Sequence, residues 1–198
     1  MRSGKKMGIS WPGRFMVVIL AASSMLAGNF KSWAADSPLS ELSPSKQVSI
    51  AESGLLKDIG AIGSAPGSYR YFTGKAVAFV AYKLPKLPEG LIMKKAELAL
   101  DVNFLSSTKN TCKLIVGRCP ELPENLTWEN QPKIIEGTAS EPVEVCQTGT
   151  VVVDVTPTLR ENTEEILVLK LEGYKIAGNR WIWYKQNTPP ILKLTSGR

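Results

Sequence analysis

The densest chemistry in the sequence is the run Arg180-Trp181-Ile182-Trp183-Tyr184-Lys185. Rings of this size offer flat apolar faces that stack on the C–H face of a sugar, and flanking bases pair with the carboxylates of an acidic one. Tyr69, Arg70 and Tyr71 repeat the combination in a glycine-rich stretch. Successive side chains of a strand face opposite ways. Trp181 and Trp183 therefore share one face, and Arg180, Ile182 and Tyr184 the other. Either the two tryptophans belong to a core, or they form a stacking face toward a ligand.

Catalytic chemistry has little to stand on. Histidine is absent, which removes the commonest general base and metal ligand and any Ser–His or Cys–His pairing. Glu121, Glu124 and Glu129 are carboxylates without a marked partner, so the expectation is a protein that is not an enzyme. No oxygen-rich loop with EF-hand spacing is present. The expectation is thus no cofactor, with a structural calcium ion unsupported by any motif, and no metal site.

The three cysteines are Cys112, Cys119 and Cys146, without zinc-ligand spacing. In a strand Cys112 and Cys119 face opposite ways, which leaves Cys146 as the shared candidate partner for a disulfide with Cys112 or with Cys119. Such a bridge would contribute about 3 kcal/mol in the loop-entropy picture. The alternative is three reduced cysteines packed as small hydrophobes.

The elements that must position these groups begin after residue 35. Arg2, Lys5, Lys6 and Arg14 precede the apolar run Phe15 to Gly28, and Ser32-Trp33-Ala34-Ala35 supplies small residues for cleavage. The run is shorter than the roughly 20 residues needed to span a bilayer and has the shape of a secretory signal peptide over residues 1–35, an uncleaved anchor being the alternative. The net charge of +6 rests largely on this leader, since Lys31 and the four bases above carry five positive charges. The remainder of the chain is nearly balanced, which argues against a nucleic-acid partner. The expected location is secreted, extracellular or at the cell surface, with no membrane span in the processed chain.

Residues 36–45 are polar with two prolines and read as a linker. From residue 46 onward short apolar segments alternate with turns. Ala76 to Leu84 is nearly continuous in apolar residues, as a buried central strand requires. In Lys94 to Phe104, residues Ala96, Leu98, Leu100 and Val102 alternate with polar positions. Further strands are expected at 111–117, 143–146, 150–155, 166–171, 181–184 and 191–195. Thr156 to Asn162 reads as one short helix, capped by Thr156 with Pro157 first in it. The expectation is all-β: a single β-sandwich or jelly-roll domain over 46–198.

Four segments, in order, resemble the DNRLRE-domain family: Phe79 to Val102 with its LPEG turn, Asn125 to Pro132 (NLTWENQP), Val153 to Thr156 (VDVT) and Pro190 to Leu194 (PILKL). The resemblance implies a jelly-roll module of secreted and surface proteins, some relatives of which bind carbohydrates, including alginate. On it, Trp128, Asn130, Gln131 and Pro132 build a structural turn, and Asp154 and Thr156 lock a strand-to-helix corner. It also implies that Trp183 takes the place of a core aromatic, carrying Trp181 inward with it. The function expected is a non-catalytic carbohydrate-binding module for an acidic polysaccharide or cell-surface glycan. The alternative is a structural or assembly protein of the cell surface, with self-association through the odd cysteine. The family's arginine before the central strand is missing here, Lys75 being the nearest base.

Overall fold

The computed structural model describes residues 37–56, 59–65, 74–105, 112–159, 164–174, 180–185 and 188–197. The leader over 1–35 lies outside this set. Within it are β1 (Ser37–Leu42), β2 (Lys46–Ala51), β3 (Gly54–Leu56), β4 (Ile59–Ala65), β5 (Gly74–Lys83), β6 (Ile92–Val102) and β7 (Phe104–Leu105). After them come β8 (Cys112–Cys119), β9 (Val143–Val145), β10 (Gly149–Asp154), a 3-10 turn (Thr156–Leu159), β11 (Ile166–Gly173), β12 (Arg180–Lys185) and β13 (Ile191–Gly197). Two antiparallel sheets result, an all-β sandwich. The smaller has the order β1-β13-β6-β10; the larger runs β7-β12-β4-β5-β11-β8-β9, with β2 pairing β3 and β5.

The period-two pattern of β6 sets the core. Ala96, Leu98, Leu100 and Val102 are buried, while Glu97, Ala99 and Asp101 between them are half-exposed. The buried set meets Val153, Leu192 and Leu194 of its own sheet and Ala78, Val80, Tyr82, Leu114, Val116, Leu167, Leu169 and Leu171 of the other. Each such side chain removed from water contributes about 1.5–3 kcal/mol before entropy is charged against it. Tyr82 brings a hydroxyl into this layer and donates it to the Pro190 carbonyl at 2.8 Å, as a buried polar group must.

Part of the segment 36–45, expected as a linker, is built into a sheet. Ser37–Leu42 pairs along β13 as the edge strand β1. Its sequence is poor in strand formers, so the pairing comes from the exposed ladder of β13 rather than from local propensity.

The continuous apolar run in β5 has a plain cause: both of its faces are covered. Val77, Phe79 and Ala81 join Ile50, Cys119 and Val168 in a second cluster, against which Val48, Leu122, Leu126 and Trp128 pack. The cover is the irregular strap 120–142. It is pinned to β8 by Ile135 N–H donating to Arg118 O (2.8 Å) and Ser140 N–H to Val116 O (2.7 Å). The Ser140 and Thr138 hydroxyls accept from the Val116 and Arg118 amides at 3.1 and 3.2 Å. These side chains stand in for a neighbouring strand, which explains two buried hydroxyls outside any sheet.

Candidate functional site

The two outer faces of the sandwich differ. On the smaller sheet, Lys193 pairs with Glu41 (3.0 Å) and Lys95 with Glu97 (2.7 Å), all exposed except the half-exposed Glu97; such pairs form a solvated face worth little to stability. On the larger sheet the strap covers part of the surface, and a groove of about 530 Å³ lies between strap and strands. Trp128, Glu129, Gln131 and Lys133 line it from the strap, Gly63, Lys75, Ala76 and Val77 from β4 and β5, and Lys170, Glu172 and Gly173 from β11.

The strap wall is rigid by construction. The Asn130 side-chain carbonyl accepts from Thr127 N–H at 2.7 Å and its amide donates to Asn125 O at 2.8 Å. The Gln131 amide donates to Trp128 O at 2.9 Å, and its Oε1 has no hydrogen-bond partner among the described residues. Pro132, half-buried, comes next. Amide side chains used in this way replace a backbone ladder and fix the loop. They hold Trp128 half-buried, packed on the Phe79 cluster and lining the groove.

The floor is unusual for a sheet face. Lys170 stands directly opposite Phe79 on β5 and Gly117 on β8, its side chain only 8% exposed. Its ammonium lies 5.9 Å from the centre of the Phe79 ring and 3.0 Å from Glu172 Oε2. A buried ammonium is tolerated only with such partners. Lys75 and Lys133 at the rim are exposed. Three cations, two carboxylates, an indole and an amide thus surround one open groove, an arrangement that can stack a ring and hold an anion.

Not all the residues expected from the sequence come together here. Tyr184 is corrected outright: it is 1% exposed, in the inter-sheet core with Ile182, and burial raises its phenol above the ordinary value. Ile182 and Tyr184 occupy inward positions of β12. Register sets Trp181 opposite Gly63 of the groove and Trp183 opposite Ala61. The side chains of Arg180, Trp181, Trp183 and Lys185 lie outside the described set, as do Tyr69, Arg70 and Tyr71 altogether. Lys75, Lys133 and Lys170, which line the groove, come from three distant segments, and no local spacing announces them.

Asp154 and Thr156 form a corner away from the groove. Asp154 Oδ1 accepts from the Thr156 hydroxyl (2.6 Å) and N–H (2.9 Å), and Thr156 Oγ1 accepts from Ala96 N–H at 3.1 Å. These bonds hold the Asp154 carboxyl below its ordinary value. The 3-10 turn they begin spans Thr156–Leu159, and the rest of the helix expected over 156–162 lies outside the described residues.

No disulfide links the cysteines. Cys112 sits opposite Val145 in the ladder, and both are buried in the inter-sheet core; Cys146, one residue further, is exposed. Cys119 is buried on the other face of β8, and burial pushes its thiol up to about 12. Adjacent residues point apart along a strand, so neither expected bridge forms. With a thiol reagent, one of the three cysteines is expected to label in the native protein and the other two only after unfolding. Fast native labelling of a second would contradict this packing.

No model of a known protein family matches the chain, and neither does any curated protein. Among the described residues no helix is long and apolar enough to cross a membrane, and no three His, Cys, Asp or Glu side chains cluster as a metal site.

Proposed function

We propose that the chain is an exported, non-catalytic carbohydrate-binding module whose ligand class is an acidic polysaccharide. The observation that carries this reading is the groove on the larger sheet, where Trp128 is held as a wall beside Lys75, Lys133 and Lys170. A flat indole suits a sugar ring, and fixed ammonium groups suit its acidic substituents. The signal-like leader supports export, and the NLTWENQP turn that holds Trp128 is also the element most similar to the DNRLRE-domain family.

The carboxylates on the groove favour binding over hydrolysis. Glu172 spends a carboxylate oxygen on the Lys170 ammonium at 3.0 Å, and among the described residues Glu129 stands exposed on the wall without a partner carboxylate arranged for acid–base work. Electrophoresis of the folded domain through gels containing alginate, pectate or a neutral glucan tests the proposal. Retardation by an acidic polymer is expected; none by any polymer would sink it. A surface assembly protein is the second reading, favoured by exposed Cys146 beside the short terminal strand β9. A disulfide-linked dimer on non-reducing gels would point there instead.

A further inference from the structure

Resting on that reading of the groove, we propose that Lys170 is its anion anchor, receiving a single carboxylate or sulfate carried by a sugar ring, with Glu172 as an internal competitor for the same ammonium. An ammonium carries three donors. Lys170 spends them on one carboxylate among the described residues, at 3.0 Å, while its side chain is 8% exposed and lines the groove. Its stem is fixed between Phe79 and Gly117 across the two neighbouring strands, and over Gly117 sits Ile134 of the strap. The charge is therefore held in place and partly desolvated, and an arriving anion gains a charge-assisted bond without having to order a flexible side chain. Exposed lysines such as Lys193 and Lys113 lack both properties and already lie on exposed carboxylates, Glu41 and Glu144.

The arrangement also assigns roles to the neighbours. Trp128 stacks the ring that bears the anion. Lys75 and Lys133 at the rim draw the polyanion in and set salt dependence. Glu172 holds Lys170 in place when no ligand is bound and must yield part of that bond when one is. Glu129, exposed on the wall, opposes the anion.

The test is affinity electrophoresis with two polymer pairs that keep the backbone and change the charge: polygalacturonate against its methyl ester, and dextran sulfate against dextran. The wild type is expected to be retarded by a charged member and at least about tenfold less by its neutral counterpart, the scale of one charged hydrogen bond. Lys170→Met, which keeps the apolar stem on Phe79, is expected to weaken that retardation about tenfold. Glu172→Gln is expected to strengthen it about threefold by withdrawing the competitor. Should Lys170→Met fail to fold, the exposed pair Lys75→Ala with Lys133→Ala must weaken charged binding while Lys86→Ala with Lys193→Ala does not. Equal retardation by charged and neutral members would overturn the anion anchor and leave sugar binding standing. A folded Lys170→Met with wild-type preference, or a Glu172→Gln as weak as Lys170→Met, would also overturn it. Absence of retardation by all four polymers removes the underlying reading of the groove itself.

Discussion

Phe79→Ala is expected to destabilise the domain by about 3–5 kcal/mol, the range for deleting a buried phenyl ring. The ring is fully buried between β2 and β11, opposite Val48 on one side and Lys170 on the other. Three things are lost at once. The apolar cluster beneath the strap loses its largest member, so Leu122, Leu126 and Trp128 lose their seat. A cavity opens that strap residues tied to β8 by hydrogen bonds cannot simply close. Lys170 loses the ring near its ammonium and keeps Glu172 as its partner in a poorer environment. Phe79→Leu retains most of the volume and is expected to cost less than about 1.5 kcal/mol. Urea unfolding of the two variants checks the difference. A loss below about 1 kcal/mol in Phe79→Ala would mean that the strap is not packed on the sheet.

The same residue shows how far the sequence can be read. The run Ala76 to Leu84 announces a strand covered on both faces, and the alternation in β6 announces one covered on a single face; both are local properties of pleated chain. What covers the second face of β5 is not local. The strap lies some 40 residues later and docks through Thr138 and Ser140 hydroxyls, which look like ordinary loop residues. Lys170 accordingly reads as a solvent-facing position of an alternating strand, and only the strap makes it the floor of a groove. Likewise period-two alternation divides the aromatic run of β12 into two sets but cannot say which set is inside. The structure places Ile182 and Tyr184 inside. A signal for that choice was present in Gly60, which stands opposite Tyr184 and makes room for its ring.

The groove's charge balance bears on what kind of ligand it can hold. Lys75, Lys133 and Lys170 outnumber Glu129 and Glu172 by one, so the site is not a strong cationic patch of the sort that binds any polyanion. On the proposed reading, selectivity would rest on one desolvated ammonium and one indole lining the same groove. A ligand with isolated charges on cyclic units fits this better than a dense phosphate backbone, whose affinity scales with the number of neutralised charges.

Gly60→Ala is the second large effect, expected to cost about 1–3 kcal/mol by overpacking. Gly60 and Tyr184 are cross-strand partners on β4 and β12. A Cβ at position 60 would run into the Tyr184 ring, at Cζ and both Cε atoms. The ring cannot swing aside cheaply, since Tyr184 is 1% exposed and packed in the inter-sheet core. Such a contact makes the two positions strongly non-additive. In the wild type Tyr184→Ala is expected to lose about 3–5 kcal/mol. In the Gly60→Ala background it should lose at least about 1 kcal/mol less, because the added methyl partly fills the space the ring vacates. A double-mutant cycle measured by urea unfolding reads this directly. Additive losses would mean that the glycine and the ring do not meet, and the inward assignment of Tyr184 on β12 would fall with that contact.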